Sequence, residues 1–206
     1  MALTEQQKQK KAKQKKQKRS AQAHSNSSHI LLEKITPHLE NPFYECLMPN
    51  NLFEAGIGNI LVTRLSPTGE LAVASFIVDV YCLGIKKVLF KTMPLPEYEK
   101  VFKPGIVKSH GDYPFTKLKP ACALKLITGA VEYSKDLGFN NHKDYHSLKT
   151  IFGTKKLGIC WSRYRYGKDK MPYYVKGPNE STADANNIVK TLEKSCGAGN
   201  FHFRLS

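Results

Sequence analysis

Residues 57–83 read IGNILVTRLSPTGELAVASFIVDVYCL, and the reading of this stretch decides the fold. In SPTG (66–69), Pro67 and Gly69 take the second and fourth turn positions, the signature of a type I turn. Apolar, β-branched runs flank it, so an antiparallel hairpin is expected. In the second run Ala72, Ala74, Phe76, Val78, Val80 and Cys82 alternate to make one continuous apolar face. The opposite positions Leu71, Val73, Ile77 and Tyr81 are apolar too, interrupted only by Ser75 and Asp79. That pattern belongs to a strand covered on both faces.

A carboxylate in such a strand is costly unless it is paired or accepts hydrogen bonds. Asp79 therefore has two readings. It is a general base or metal-binding carboxylate at a strand end, or a local staple. As a staple it would accept N–H groups from the turn at Leu83-Gly84, or pair with Lys86 or a distant arginine.

Outward from the hairpin, Pro120 opens a helix, PACALKLITGAVEYSKDLGF, with Cys122, Leu126, Gly129, Ala130, Tyr133 and Leu137 on one face. Gly138 and Phe139 supply a Schellman-like stop, and Gly129 and Ala130 predict a close approach to the sheet. KDYHSLKTIFG predicts a shorter helix ended by Gly153. STADANNIVKTLEKSCG predicts another, capped by Ser181 with Asp184 and stopped by Gly197. MPLPEYEKVFKPG is broken by prolines and reads as loop with one helical turn. LGICWSRYRYGKDKMPYYVKGP reads as a second hairpin around Gly167-Lys168-Asp169-Lys170, and NFHFRL as a last short strand. The expected class is α+β: a mostly antiparallel sheet built from two hairpins and packed by two or three helices.

The chain of 206 residues carries a formal charge of +15. Residues 1–19 hold eight Lys/Arg and one Glu, so the remainder is itself basic, with 24 Lys/Arg against 16 Asp/Glu. Residues 1–28 read as a disordered Lys/Gln-rich tail, almost free of the apolar side chains a core needs. Residues 29–206 read as one globular domain. Lys8, Lys10, Lys11, Lys13, Lys15, Lys16, Lys18 and Arg19 suit a polyanion, and RNA or ribosome is the preferred one. The tail lacks the apolar face of an interfacial helix, so a membrane is not the expected partner. No apolar leader precedes it, so a cytoplasmic location is expected.

The second hairpin interleaves aromatics with cations. Alternation puts Trp161, Arg163 and Arg165 on one face and Ser162, Tyr164 and Tyr166 on the other. With Tyr174, these are the candidate contacts to bases and backbone. The bland alternative is a solvated sheet edge.

FNNHKDYHSLK holds His142, Asp144 and His146. Asp79 with His142, Asp144 or His110 would make an acid–base or metal-assisted centre for a hydrolase or nuclease, if they converge. The alternative makes His142 and Asp144 parts of a helix start, and no third metal ligand is identifiable. GxGxxG, P-loop, GxSxG and HExxH patterns are missing, so no cofactor is expected. Five cysteines without a CxxC pair argue against a disulfide framework and read mostly as small core residues.

SFIVDVYCLGIK, GAVEYSKDLGFNNHKDY and GPNES with GAGNFHF together resemble a family of uncharacterised bacterial proteins that share a VDVYCLGxK-type core and a basic N-terminal tail. The resemblance covers roughly residues 42–203. It implies a bacterial, cytosolic, single-domain protein and lends no activity. Three functions stand: a nucleic-acid-associated protein, a phosphate-directed hydrolase, and a protein-interaction module.

Overall fold

The computed structural model describes residues 28–205, with Lys11 and Lys15 before them. The basic tail otherwise lies outside the described residues. Lys11 and Lys15 are helical and exposed.

Residues 28–35 form helix α1, which leads into strand β1 (Phe43–Pro49). A short helix α2 (Leu52–Ala55) follows, then β2 (Ile57–Leu65), β3 (Glu70–Asp79) and β4 (Gly84–Pro94). Helical residues continue through α3 (Leu95–Glu97), a π turn (Tyr98–Phe102) and α4 (Lys103–Ser109). Next come β5 (Phe115–Leu118), α5 (Pro120–Asp136) and α6 (Tyr145–Lys149). Strand β6 (Tyr173–Val175), helix α7 (Thr182–Cys196) and β7 (His202–Arg204) complete the chain.

Five strands make one antiparallel sheet in the order β4-β3-β2-β1-β5, and β6 pairs with β7 in parallel. The hairpin at SPTG forms in full register from Ile57–Asp79 to Leu65–Leu71. Strand β3 is an interior strand, covered on both faces. Ala72, Ala74, Phe76 and Val78 pack with Ala123, Leu126, Ile127 and Ala130 of α5. On the other side Leu71 and Val73 pack with Met93 and Tyr98.

Two expectations about secondary structure change. The sheet contains two hairpins, but the second is β3–β4 and not the segment 157–178. The turn there does form: Lys168 and Met171 exchange backbone hydrogen bonds, with Asp169 and Lys170 at positive φ. Residues 157–166, however, belong to no strand. Alternation reports only that a chain is extended. Pairing also needs a free sheet edge in the right place, and this segment runs along α5 instead.

The proline-broken stretch after β4 is helical across 95–109 rather than a loop. Pro96 falls in the first turn of α3, where no intrahelical N–H is required, and Pro104 directly follows the π turn at the junction with α4. The π turn between them carries Tyr98 inward, fully buried against β3 and β4.

Helix α5 ends as expected. Gly138 takes φ 85°, its N–H donates to Lys135 O, and that of Phe139 donates to Ser134 O at 2.9 Å. Ser181 caps α7, its Oγ accepting the Asp184 N–H at 3.1 Å.

Cys122 and Cys160 form a disulfide, with Cα atoms 5.0 Å apart, which corrects the expectation that argued against one. Cys46 and Cys82 are buried thiols of the core. The pairing was invisible in the sequence because it depends on where residues 154–166 run.

Candidate nucleic-acid interface

Residues 153–166 form an extended strap over α5, and its root is held from below. Arg64, buried on β2, donates through Nε to Ile151 O at 2.6 Å and through a terminal nitrogen to Phe152 O at 3.0 Å. It also donates to Asn41 O and lies 3.8 Å over the Phe43 ring. Gly153 then turns the chain out at φ 74°.

Along the strap, side chains alternate. Those of Cys160, Tyr164 and Tyr166 turn inward. Cys160 is bonded to Cys122 at the start of α5. Tyr164 stacks on Phe53, with ring planes 10° apart. Tyr166 stacks on Tyr133 and donates to Leu126 O at 2.9 Å. Gly129 makes room for it, since a Cβ there would lie 2.3 Å from the Tyr166 oxygen. The small residue at 129 thus admits the strap, not the sheet as the sequence suggested.

Ile159, Trp161, Arg163 and Arg165 are exposed, and the Trp161 ring is 85% accessible. Lys125 of α5 fixes this presentation, donating to Cys160 O at 3.2 Å and Ser162 O at 2.8 Å, the carbonyls on either side of Trp161. A fully exposed indole between two clamped carbonyls offers a flat apolar face without a core role.

Beneath the strap lies a groove of about 550 Å³, lined by Lys125, Lys155 and Lys156 with Thr128 and Thr154, and by no carboxylate. Lys155 also meets Glu40 at 2.5 Å in an exposed pair, and holds the Glu40 carboxyl below the usual carboxylate range. These lysines were missed in the sequence. GTKKLG follows the short helix with no periodicity to mark it, and Lys125 sits thirty residues earlier in the chain.

The remaining candidates separate. Tyr174 is fully buried and donates to Glu180 Oε2 at 2.7 Å, so its ring has no free face for a base. Asp79 is a staple: Oδ1 accepts the N–H groups of Tyr81 and Cys82, both at 2.9 Å. Burial raises its carboxyl above the ordinary range, while the amide bonds and Lys86 pull the other way. It lines a cavity of about 250 Å³ with Tyr81, Lys86 and Tyr173. Lys86 is itself paired with Glu180 at 2.6 Å, and Glu180 also accepts the Gly177 N–H.

Asp144 faces elsewhere, in a separate pocket beside α1 with Ile30 and Lys34, where it accepts from Ser28 Oγ. His142 accepts the Asp144 N–H on Nδ1 at 3.2 Å, and its own N–H donates to Ile85 O. His110 accepts the Asn59 N–H at 3.2 Å through Nε2, and burial lowers its pKa. Asp79 and Asp144 line different cavities. Among the described residues no group of three His, Cys, Asp or Glu is placed to hold a metal ion. Among them, too, no helix is long and apolar enough to cross a membrane.

No family model, curated protein or solved structure matches the chain.

Proposed function

We propose that this is a nucleic-acid-associated protein, with RNA or the ribosome the preferred target. The observation that carries the reading is the exposed row Trp161, Arg163 and Arg165, held outward by a strap whose alternate side chains are anchored to α5. Arginine guanidinium groups meet phosphates with a planar fork of donors, and an indole face stacks on any base. The basic tail adds sequence-independent attraction through Lys8 to Arg19, and the excess of cations in residues 20–206 extends it over the domain.

Filter binding to mixed RNA and DNA at low salt tests the reading. Binding should weaken steeply as salt rises, and removal of residues 1–28 should lower both affinity and salt slope. A full-length protein that retains no nucleic acid at low salt overturns it. The hydrolase alternative draws no support from Asp79, His142 and Asp144: Asp79 binds the amides of its own turn, and Asp144 lies in a different pocket, bonded to Ser28.

A further inference from the structure

We propose that the ligand of this surface is single-stranded nucleic acid, bound with a phosphodiester in the groove between α5 and the strap and a base stacked on Trp161. This deepens the reading above and rests on it.

The groove has the chemistry of an acceptor-only ligand. Phosphodiester oxygens need donors and are repelled by carboxylates. Lys125, Lys155 and Lys156 line about 550 Å³ alongside the apolar Ala121, Leu124 and Leu157, and no acidic side chain is among the lining residues. Glu40 meets Lys155 in a pair whose side chains are 79% and 78% exposed. Water and salt already screen that pair, so Lys155 is free to exchange it for a phosphate.

Groove and indole are mechanically one unit. Cys160 is part of the groove wall and Trp161 is the next residue. Lys125, another wall residue, clamps the carbonyls flanking Trp161. The disulfide to Cys122 and the Tyr166 anchor fix the same segment. The backbone that carries the indole is therefore held before binding, which lowers the conformational cost of association.

A single strand fits this arrangement and a duplex does not. Cationic grooves with aromatic platforms track backbone and stack successive unpaired bases. Duplex readout needs an element that enters a groove, commonly a helix or paired ribbon. The strap is neither: residues 157–166 are extended, unpaired and laid flat along α5. A duplex would offer this surface its phosphates but no base face for Trp161.

Trp161 is the only tryptophan in the chain, so its intrinsic fluorescence reads stacking directly. The full-length protein is titrated with a 12-nucleotide oligouridylate and, separately, with a blunt 12-base-pair RNA duplex, across a salt series. Expected results are quenching by the single strand, little by the duplex, and tighter binding of the single strand. Trp161→Ala, which removes the fluorophore and is followed by filter binding, should weaken single-strand binding roughly tenfold, the scale of one stacked base. Lys155→Ala with Lys156→Ala should flatten the log–log salt slope by about 1.4, two phosphate contacts on a single strand. Both substitutions fall on exposed residues, and unchanged melting temperatures confirm an intact fold. Equal binding of duplex and single strand without quenching overturns the inference and leaves the general nucleic-acid reading standing. Quenching with an unchanged salt slope in the double lysine variant removes the groove from the proposal. If neither RNA binds at low salt, both readings fall.

Discussion

The Tyr166 hydroxyl occupies the space where a side chain on Gly129 would be. It donates 2.9 Å to Leu126 O, and a Cβ at 129 would lie 2.3 Å from it. Helix propensity favours Gly129→Ala by up to about 1 kcal/mol. Displacing a half-buried tyrosine from its hydrogen bond and its Tyr133 stack costs about 1–3 kcal/mol. The clash therefore wins. Denaturant unfolding should show Gly129→Ala destabilised by about 1 kcal/mol, with faster proteolytic cutting of the strap as it lifts. A more stable variant would mean that Tyr166 does not anchor the strap.

The Cys122–Cys160 bridge closes a separation of 38 residues. A loop of that size corresponds to about 4 kcal/mol of unfolded-chain entropy, taken as an upper bound. Cys122→Ser with Cys160→Ser, or reduction of the native chain, should lower stability by up to that amount. Limited proteolysis should then cut first within residues 154–166. A strap cut equally slowly with and without the bridge would show that its other anchors suffice.

Asp79 predicts opposite behaviour from two small substitutions. Asp79→Ala leaves the Tyr81 and Cys82 amides without their acceptor and should cost about 1–3 kcal/mol. Asp79→Asn keeps a carbonyl acceptor and removes the charge. Burial raises the folded pKa, so the stabilisation linked to the protonated carboxyl is full below the ordinary aspartate value, near 3.9. It is lost as pH rises through the folded value. The stability of Asp79→Asn relative to the native chain should therefore improve from acid towards neutral pH. A gap independent of pH would show that the carboxyl titrates normally.

Arg64 donates to three main-chain carbonyls, those of Asn41, Ile151 and Phe152, and covers Phe43. A lysine cannot reproduce that planar fork. Arg64→Lys should cost about 2–4 kcal/mol, because buried carbonyls lose charged donors. Thermal unfolding within 1 °C of the native chain would refute the role given to the guanidinium.

Features written in neighbouring residues were legible. The SPTG turn and alternation of β2 and β3 specify a hairpin and its register, because turn geometry and side-chain facing act over a few residues. The Gly138 stop and the Ser181 cap are equally local. Alternation also placed Trp161, Arg163 and Arg165 together opposite Ser162, Tyr164 and Tyr166, since an extended chain alternates whether or not it is paired.

What that extended chain lies against was decided by tertiary structure alone. The strap runs over α5 because Gly129 opens a seat, Cys122 offers a thiol and Lys125 binds carbonyls, all about 35–40 residues from their partners. The same distance effect buries Tyr174 in a cluster with Cys82 and Leu137, and parts Asp144 from Asp79. The sequence by itself determined the hairpin, the helix ends and the positive charge, through periods and turns that need no distant partner. Only the tertiary structure decided which cations border a groove and which aromatic is left bare, because both follow from contacts between segments far apart in the chain.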